Sequence, residues 1–373
     1  MKFAVDGRFT AEQSIALRYA AFLDGALTTD ELRANSLREG VRILDLGEWH
    51  GVRLKLLDES SWMASGTYKS LDGCLSAAFC RKRGIRRVVF SSGANTGVAL
   101  TIYGALAGLE TFFFCPAANF SKLDGTIFDR AGAHLVAVEG SDRRVKQAAR
   151  LAAARLDAPQ VPTLEWRLLS AGLRGMFLAE QVIRHGQRFD WLAQAVCAGY
   201  GPLGIYRVFE KLALERAPRF LAVQQAGLCP IVNAWQRRCE TLPPLVDAGW
   251  REKPIEPALY NVYPDQTYPE LFRVLQRWGG DAISVSQADF AEFGEEFQGR
   301  VEAAGVTLGR MNGQVVERAG LLAGAGALKA IAEGWISKGA TVLCALTGGA
   351  GPVPSRPATP ERWIRLEEKL DAD

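Results

Sequence analysis

The chain has 373 residues, 48% of them apolar, 23% charged and 9% aromatic, and its 44 Lys and Arg against 41 Asp and Glu leave a net charge of +3. This composition predicts a folded protein of about two domains and excludes extensive disorder. The near balance of charge offers no basic surface for nucleic acid or an acidic membrane.

The N-terminus, the longest apolar stretch, and the histidines and cysteines narrow the expected class of protein further. Asp6 lies within the first seven residues and no long apolar core follows, so we expect no secretory signal. The longest apolar stretch, 319–328, is about half of the ~20 residues that a membrane span needs. The three histidines lack the spacing of a metal site, and the seven cysteines form no C-x-x-C pair. We therefore expect a cytoplasmic protein with reduced thiols, no metal, no membrane and no nucleic-acid partner.

From residue 86 onward, short apolar runs alternate with helical stretches. The runs predict strands at 88–90, 111–115, 135–138, 192–197, 221–224 and 341–346. Helices are predicted at 96–106, 321–335 and 360–370, the last of them charged and amphipathic. Three more are predicted with one bound each: one begins after an N-cap at Ser121, one ends at Arg150, and one begins after Gly204. The segment 242–266 shows neither helix nor strand periodicity, so we expect a long irregular loop there, at the edge of the fold where the functional site lies. Continuous apolar strands separated by helices indicate an α/β fold with parallel sheets covered on both faces.

A first glycine turn, residues 91–97, follows a predicted strand and opens a helix. The hydroxyls of Ser91, Ser92 and Thr96 and the amide of Asn95 would add side-chain donors to the free N–H groups of a helix N-terminus. Such a turn suits a carboxylate, but it equally fits an ordinary helix cap.

A second glycine turn, residues 199–204, formally matches G-x-G-x-x-G. Pro202 removes one backbone donor, and no acidic residue ends the next strand where a ribose would need it. This pattern favours a single phosphate over a dinucleotide, and it argues against a nucleotide-binding oxidoreductase. A third glycine turn, residues 346–351, follows the last predicted strand. Since ligands gather at the carboxyl ends of parallel strands, we expect the three turns to meet in one crevice.

Lys69 lies in Ser65-Gly66-Thr67-Tyr68-Lys69-Ser70, with no carboxylate just before it in the sequence. A desolvated lysine has a lowered pKa and an amine available for Schiff-base chemistry. Most lysines, however, lie in solvent, and this residue alone does not decide between the two.

Taken together, these segments resemble the tryptophan-synthase-β type (fold type II) of pyridoxal-phosphate enzymes, from about Asp45 to Gly351. That family carries an aromatic-Lys pair, a Ser-Gly-Asn-Thr-Gly loop, a glycine-rich phosphate loop and a late Ser or Thr before a glycine turn. Tyr68-Lys69, the first two glycine turns and Thr347-Gly348-Gly349 stand in the same order.

Within the family, residues 223–235 are similar to a segment of threonine synthases and cysteate synthases, and residues 67–72 are closer to cysteate synthases. This chain differs from the family motifs at three points, and the differences affect the expected substrate more than the expected cofactor. Ala94 is an insertion in the first glycine turn, Glu317-Arg318-Ala319 replaces Glu-Pro-Ala, and no Asp-Arg follows the lysine.

The resemblance implies a two-lobed α/β fold of parallel and mixed sheets covered by helices, with the pyridoxal 5'-phosphate site in the cleft. Residues 1–75 would join the large lobe and carry the lysine, 76–187 would form a smaller substrate-side domain, and 188–373 would form the phosphate-binding domain. It also implies a homodimer acting on a small amino acid.

The resemblance assigns roles to individual residues. Lys69 would carry the cofactor as a Schiff base and move a proton at the substrate Cα, which requires an amine that is neutral near pH 7. Cofactor-binding residues would be Lys69, Asn95, Gly199, Tyr200, Gly201, Leu203, Gly204 and Thr347, with Thr347 meeting the pyridine nitrogen. Substrate-binding residues would be Ser91, Ser92, Gly93 and Thr96.

The implied reaction is β- or γ-replacement or elimination on an activated amino acid, first cysteate-synthase-like replacement on O-phosphoserine. Threonine-synthase-like chemistry on O-phosphohomoserine is the second possibility, and a catalytically silent cofactor-binding partner protein the third. Lys122 and Arg174 are candidate partners of a substrate phosphate, although the frequency of exposed cations favours a solvated helix residue at each position.

Overall fold

The computed structural model describes residues 13–244, 251–350 and 353–370. The predictions made for the N-terminal residues 1–7, for Gly351 and for the side chain of Lys122 lie outside the described residues. In the described part of the chain, none of the helices combines the length and apolar character needed to span a bilayer.

The strands run through both halves of the chain. In chain order they are β1 (Arg42–Trp49), β2 (Val52–Asp58), β3 (Arg87–Ser91), β4 (Glu110–Pro116), β5 (Ala133–Val138), β6 (Trp191–Ala195), β7 (Arg219–Gln225), β8 (Asp281–Val285), β9 (Arg310–Met311), β10 (Gln314–Val315), β11 (Thr341–Leu346) and β12 (Arg362–Ile364). The predicted strands correspond to β3, β4, β5, β6, β7 and β11.

The α-helices mostly connect these strands. They are α1 (Ile15–Arg18), α2 (Thr29–Arg33), α3 (Ser70–Lys82), α4 (Asn95–Leu106), α5 (Asp142–Arg155), α6 (Leu164–Ile183), α7 (Tyr200–Lys211), α8 (Pro230–Gln236), α9 (Tyr268–Arg277), α10 (Gln287–Asp289), α11 (Glu295–Ala303) and α12 (Ala319–Ala332). Helix α7 begins at Tyr200, five residues before the start predicted after Gly204, so most of the second glycine turn is helical.

Two sheets form the framework. A six-stranded sheet has the order β1-β2-β11-β6-β7-β8, in which only the β1–β2 pair is antiparallel. A four-stranded sheet has the order β12-β5-β4-β3, and all of its strands are parallel. Every residue of β6 and β11 is buried, as expected where helices cover both faces of a sheet. The α/β fold with parallel and mixed sheets is therefore confirmed.

The β1–β2 hairpin determines where the segment that leads to Lys69 lies. Trp49 pairs with Val52, so the turn consists of His50 and Gly51, with φ angles of 48° and 82°. Two left-handed residues in succession give the twist that joins antiparallel strands tightly. Strand β2 then pairs with β11 in parallel, which brings the segment after β2 beside the end of β11.

The structure contradicts two predicted helices. Residues 362–364 form β12 beside β5, where Ile364 is buried in the same apolar cluster as Val138, so sheet pairing outweighs the amphipathic pattern. The helix predicted to begin after Ser121 is instead a pair of 3₁₀ turns, Ala117–Lys122 and Gly125–Asp129. Asp124 caps the second of these turns, and its side chain accepts a hydrogen bond from the N–H of Thr126 at 3.0 Å.

Candidate functional site

A cleft of about 510 Å³ opens where β3, β6 and β11 end. The three glycine turns line it, so the predicted crevice is confirmed. The predicted site residues at its wall are Lys69, Ser91, Ser92, Gly93, Asn95, Thr96, Gly199, Tyr200, Gly201 and Thr347. Leu203 and Gly204 do not line it; both are buried further along helix α7, beyond the residues that face the cleft.

Lys69 stands at the N-terminus of α3, with its side chain 15% exposed. Its Nζ lies 3.0 Å from Oδ2 of Asp72 and 4.4 Å from the centre of the Tyr68 ring. The other carboxylate oxygen of Asp72 accepts a hydrogen bond from the hydroxyl of Ser170 on α6. The amine is therefore both packed against an aromatic ring, as expected, and held by a carboxylate, which was not.

The ion pair changes the expected protonation of the lysine. Burial lowers the pKa of Lys69, but the charge of Asp72, with a smaller contribution from Tyr68, outweighs burial and raises the pKa above its ordinary value. The direction of this pKa shift is opposite to the one expected for a lysine that is buried without a charged partner. The carboxylate partner lies one helical turn after Lys69 in the sequence and not just before it.

Backbone contacts fix the lysine segment to the end of β11. The N–H of Tyr68 donates to the carbonyl of Thr347 at 3.0 Å, and Thr67 forms a β-bridge with Gly348. The carboxylate of Glu317 lies against Gly348, since a Cβ built on that glycine would come within 1.8 Å of Oε2. The third glycine turn is thus bonded to the two residues before Lys69, and Glu317 beside it adds a carboxylate to the cleft wall.

The first glycine turn presents the N-terminus of α4 to the cleft. Its Ala94 N–H donates to Oγ of Ser92 at 3.3 Å, and Nδ2 of Asn119 donates to the Gly93 carbonyl at 2.7 Å. Gly97 has no room for a side chain, because an added Cβ would lie 2.1 Å from Cζ of Phe113. Asn95 and Thr96, the first residues of α4, line the cleft, and the free N–H groups of a helix N-terminus stabilise an anion.

The second glycine turn opens α7 at Gly199, whose φ of 80° favours glycine. The N–H of Leu203 donates to the Gly199 carbonyl at 3.3 Å, and a Cβ on Gly204 would lie 2.4 Å from Cβ of Ala171 on α6. Leu203 thus has an intrahelical partner, and Gly204 allows close helix packing. The free donors of this turn lie nearer its start than the sequence predicted.

The irregular segment predicted at a functional edge crosses the cleft mouth at residues 256–261. Gln225, at the end of β7, holds it: its Oε1 accepts the N–H groups of Ile255 at 2.8 Å and Glu256 at 3.0 Å. Glu256 in turn accepts the Arg318 N–H at 2.9 Å. The prediction is confirmed for the described part of this segment, while residues 245–250 lie outside it.

The cations of the cleft differ from the two that the sequence suggested. Arg174 is fully buried and bound to Glu59, so it does not face the cleft. Arg167 and Lys146 line the cleft instead. Neither belongs to a motif, and the sequence analysis missed both because only the packing of α5 and α6 brings them to the site.

The residues present fit a pyridoxal phosphate. An amine on the cleft wall can bond to an aldehyde, and the helix N-termini at Asn95 and Tyr200 offer N–H groups to two separate anions. Within the described ranges, no group of three His, Cys, Asp or Glu side chains could hold a metal ion.

Comparison with known proteins gives an independent assignment. The model of a family described as "Pyridoxal-phosphate dependent enzyme" matches residues 41–348. Cysteate synthase of Methanosarcina barkeri is 23% identical over 78% of this chain and 70% of its own length. Threonine synthase of Mycobacterium bovis is 24% identical over 94% of this chain and 95% of its own. The structure of maize serine racemase superposes with a TM-score of 0.63 at 16% identity, covering 87% of this chain and 95% of that one, which shows a shared fold.

Proposed function

The chain belongs to the family of pyridoxal-phosphate-dependent enzymes, and from that premise we propose that it catalyses β- or γ-replacement or elimination on an O-phosphorylated amino acid. When bound, the cofactor supplies an electron sink for the bonds at the substrate Cα. The cysteate-synthase-like reaction on O-phosphoserine is the first candidate, supported by the similarity to cysteate synthase.

The observation that carries the proposal is the position of Arg167. Its guanidinium lies 5.3 Å from the centre of the Tyr200 ring at the cleft wall, and among the described residues it has no carboxylate partner. Its charge acts on Lys69, where it opposes the effect of Asp72 on the pKa. Lys146, by contrast, is paired with Asp142 at 2.6 Å. Arg167 is therefore the cation available to a substrate phosphate.

We assign the remaining roles as follows. Lys69 holds the cofactor and then moves the proton at Cα, and the N-terminus of α4 with Ser91, Ser92, Gly93 and Thr96 binds the substrate carboxylate. Three further groups bind the cofactor: the Asn95 amide, the Thr347 hydroxyl and the backbone of Gly199, Tyr200 and Gly201.

Threonine-synthase-like chemistry on O-phosphohomoserine is the second candidate. It is favoured by the extent of the similarity to threonine synthase, which spans 94% of this chain. The silent-partner alternative is set aside, because the family is one of enzymes and Lys69 stands at the cleft wall.

Phosphate release tests the proposal. The purified enzyme with pyridoxal phosphate is incubated with O-phosphoserine, O-phosphohomoserine, O-acetylserine or threonine, and phosphate and keto acid are measured. We expect phosphate from at least one of the two phospho-amino acids, and the preferred one distinguishes the candidates. If only O-acetylserine or threonine reacts, the assignment of a phosphorylated substrate is wrong.

We also propose a homodimer in the cytoplasm, as the resemblance implies. Sedimentation equilibrium of the loaded enzyme should give about twice the chain mass of 40.6 kDa. A mass equal to one chain would contradict it.

A further inference from the structure

The second glycine turn offers few backbone donors to a phosphate. Pro202 has no N–H, and the N–H of Leu203 already donates to the carbonyl of Gly199. Two of the first four positions of α7 therefore give no free N–H group to a bound dianion. A phosphate held here needs donors from elsewhere.

A buried side-chain cluster lies directly behind this turn. Arg174 is 0% exposed and donates through Nε and Nη2 to the two carboxylate oxygens of Glu59 at 2.6 and 2.5 Å. Its Nη2 also donates to Oε1 of Gln194 at 2.9 Å. Gln194 lies on β6, is 3% exposed and reaches the cleft wall. Glu59, Arg174 and Gln194 thus form a fixed chain of hydrogen bonds that ends at the cleft.

The orientation of the Gln194 amide follows from this contact. A guanidinium only donates hydrogen bonds, so the amide oxygen must face Arg174 and the amide NH₂ must point away from it. Nε2 lies 2.7 Å and Nη1 of Arg174 lies 2.8 Å from the position that a Cβ on Gly201 would take. Both donors therefore contact the backbone of the second glycine turn.

These two donors lack acceptors in the described part of the chain. Nη1 of Arg174 is buried and has no hydrogen-bond partner there. The Nε2 of Gln194 has none among the described residues either, although the residue is almost fully buried. Gln194 lines the cleft and Arg174 does not, so an anion at the turn would supply an acceptor to Nε2 of Gln194.

We propose that Gln194 is a side-chain ligand of the cofactor phosphate, and that Arg174, fixed by Glu59, is the positioning residue that directs the Gln194 NH₂ at it. The amide replaces backbone donors that Pro202 and Leu203 do not supply. The same geometry requires glycine at position 201, since any Cβ would collide with both donors. This inference depends on cofactor binding and not on the substrate, so a failure to release phosphate from phospho-amino acids would leave it intact.

The test compares pyridoxal phosphate with pyridoxal, which has the same ring and aldehyde but no phosphate. The affinity of each for the wild-type protein and for Gln194→Met is measured by absorbance titration. We expect the affinity for pyridoxal phosphate to fall about 10- to 100-fold, the usual effect of losing a hydrogen bond to a charged acceptor, and the affinity for pyridoxal to stay unchanged. An equal loss for both ligands, or no loss, would overturn the proposal.

Gln224→Met is the matched control. Gln224 is a buried glutamine on the neighbouring strand β7, but its amide is engaged: Nε2 donates to the Val196 carbonyl at 3.3 Å and Oε1 accepts the Ile231 N–H at 2.9 Å. Its substitution should lower the melting temperature without changing the ratio of the two affinities. A change of that ratio in the control equal to that in Gln194→Met would show that the effect is structural.

A second variant guards against poor folding of Gln194→Met. Gln194→Glu keeps the shape and the acceptor for Arg174 but places a negative charge beside the phosphate. It should weaken pyridoxal phosphate more than Gln194→Met does and spare pyridoxal. The phosphorus-31 resonance of the bound cofactor should also move in both Gln194 variants and stay in place in Gln224→Met. A resonance that is unchanged in the Gln194 variants would contradict the contact.

Discussion

Nζ of Lys69 lies 3.0 Å from Oδ2 of Asp72, one helical turn later on α3, so the amine that we propose as the cofactor's attachment point is held by a carboxylate. Asp72 is itself fixed by the hydroxyl of Ser170. The pair holds the amine at the cleft wall, and the charge of Asp72 raises the pKa of the amine.

Asp72→Asn should therefore shift the pH dependence of cofactor uptake to lower pH. Only the neutral amine can attack an aldehyde, and removal of the Asp72 charge lowers the pKa of Lys69, so more of the amine is neutral at pH 7. The rate of uptake is followed by absorbance between pH 6 and 10, a range chosen on the basis of the ordinary lysine pKa of about 10.4. Asp289→Asn, which removes the partner of Lys329, should leave the profile unchanged. A shift to higher pH in Asp72→Asn would contradict the role of the pair.

Lys69→Ala should abolish the visible absorption that the purified, yellow wild-type protein is expected to show. Without the amine, the cofactor has no covalent attachment and is lost on gel filtration. Lys146→Ala is the control, because Lys146 also lines the cleft but is paired with Asp142. A spectrum that survives in Lys69→Ala, or that is lost in Lys146→Ala, would remove the assignment.

Arg167→Met should lower kcat/KM for the preferred phospho-amino acid about 10- to 100-fold, as expected for the loss of a charge-assisted hydrogen bond. Activity on O-acetylserine, if measurable, should change little, because that substrate has no phosphate. Arg207→Met provides the control, since Arg207 is bound to Glu270 at 2.5 Å and does not line the cleft. Equal loss on both substrates would mean that Arg167 supports the fold of the site and not the phosphate.

Gly97→Ala should destabilise the protein by about 1–3 kcal/mol, the cost of overpacking a filled core. The new Cβ would lie 2.1 Å from Cζ of Phe113, so either α4 or the ring must move. At Gly93 the nearest atom, Nδ2 of Asn119, is 3.4 Å away, and Gly93→Ala should change stability far less. Urea unfolding of both variants measures the difference, and comparable values at the two positions would refute it.

Glu180→Gln should cost about 3 kcal/mol of stability at pH 7, because it breaks a buried ion pair. Glu180 accepts hydrogen bonds from Arg18 at 2.6 Å and Tyr19 at 2.5 Å. Burial raises the pKa of Glu180, but these two hydrogen bonds outweigh it and leave the pKa below its ordinary value of 4.5. The stabilisation is therefore present above pH 4.5 and lost as the pH falls through the lowered pKa.

Urea unfolding of wild type and Glu180→Gln at several pH values measures this difference. The gap should stay constant from pH 7 to 5 and narrow in more acidic solution. A gap that widens on acidification would contradict the direction of the pKa shift.

Much of the framework could be predicted from local patterns. Strand β11 was placed at its observed bounds, since an apolar run bounded by Gly and Thr has few other structures available. Residues 362–364 were misassigned because a short amphipathic stretch does not reveal that β5 has a free edge. The β1–β2 hairpin is absent from the predicted elements, because β1 has only one buried residue and lacks a strong apolar pattern.

The sequence by itself determined the order of the lysine and the three glycine turns, and that order is enough to predict one α/β cleft, because each turn follows a strand and parallel strands end together. Only the tertiary structure decided which side chains stand behind those turns. Glu59, Arg174 and Gln194 are separated by 115 and 20 positions, and neither pair belongs to one local element. Hydrogen-bond partners at such separations depend on how helices and strands pack, and no local pattern in the chain specifies that.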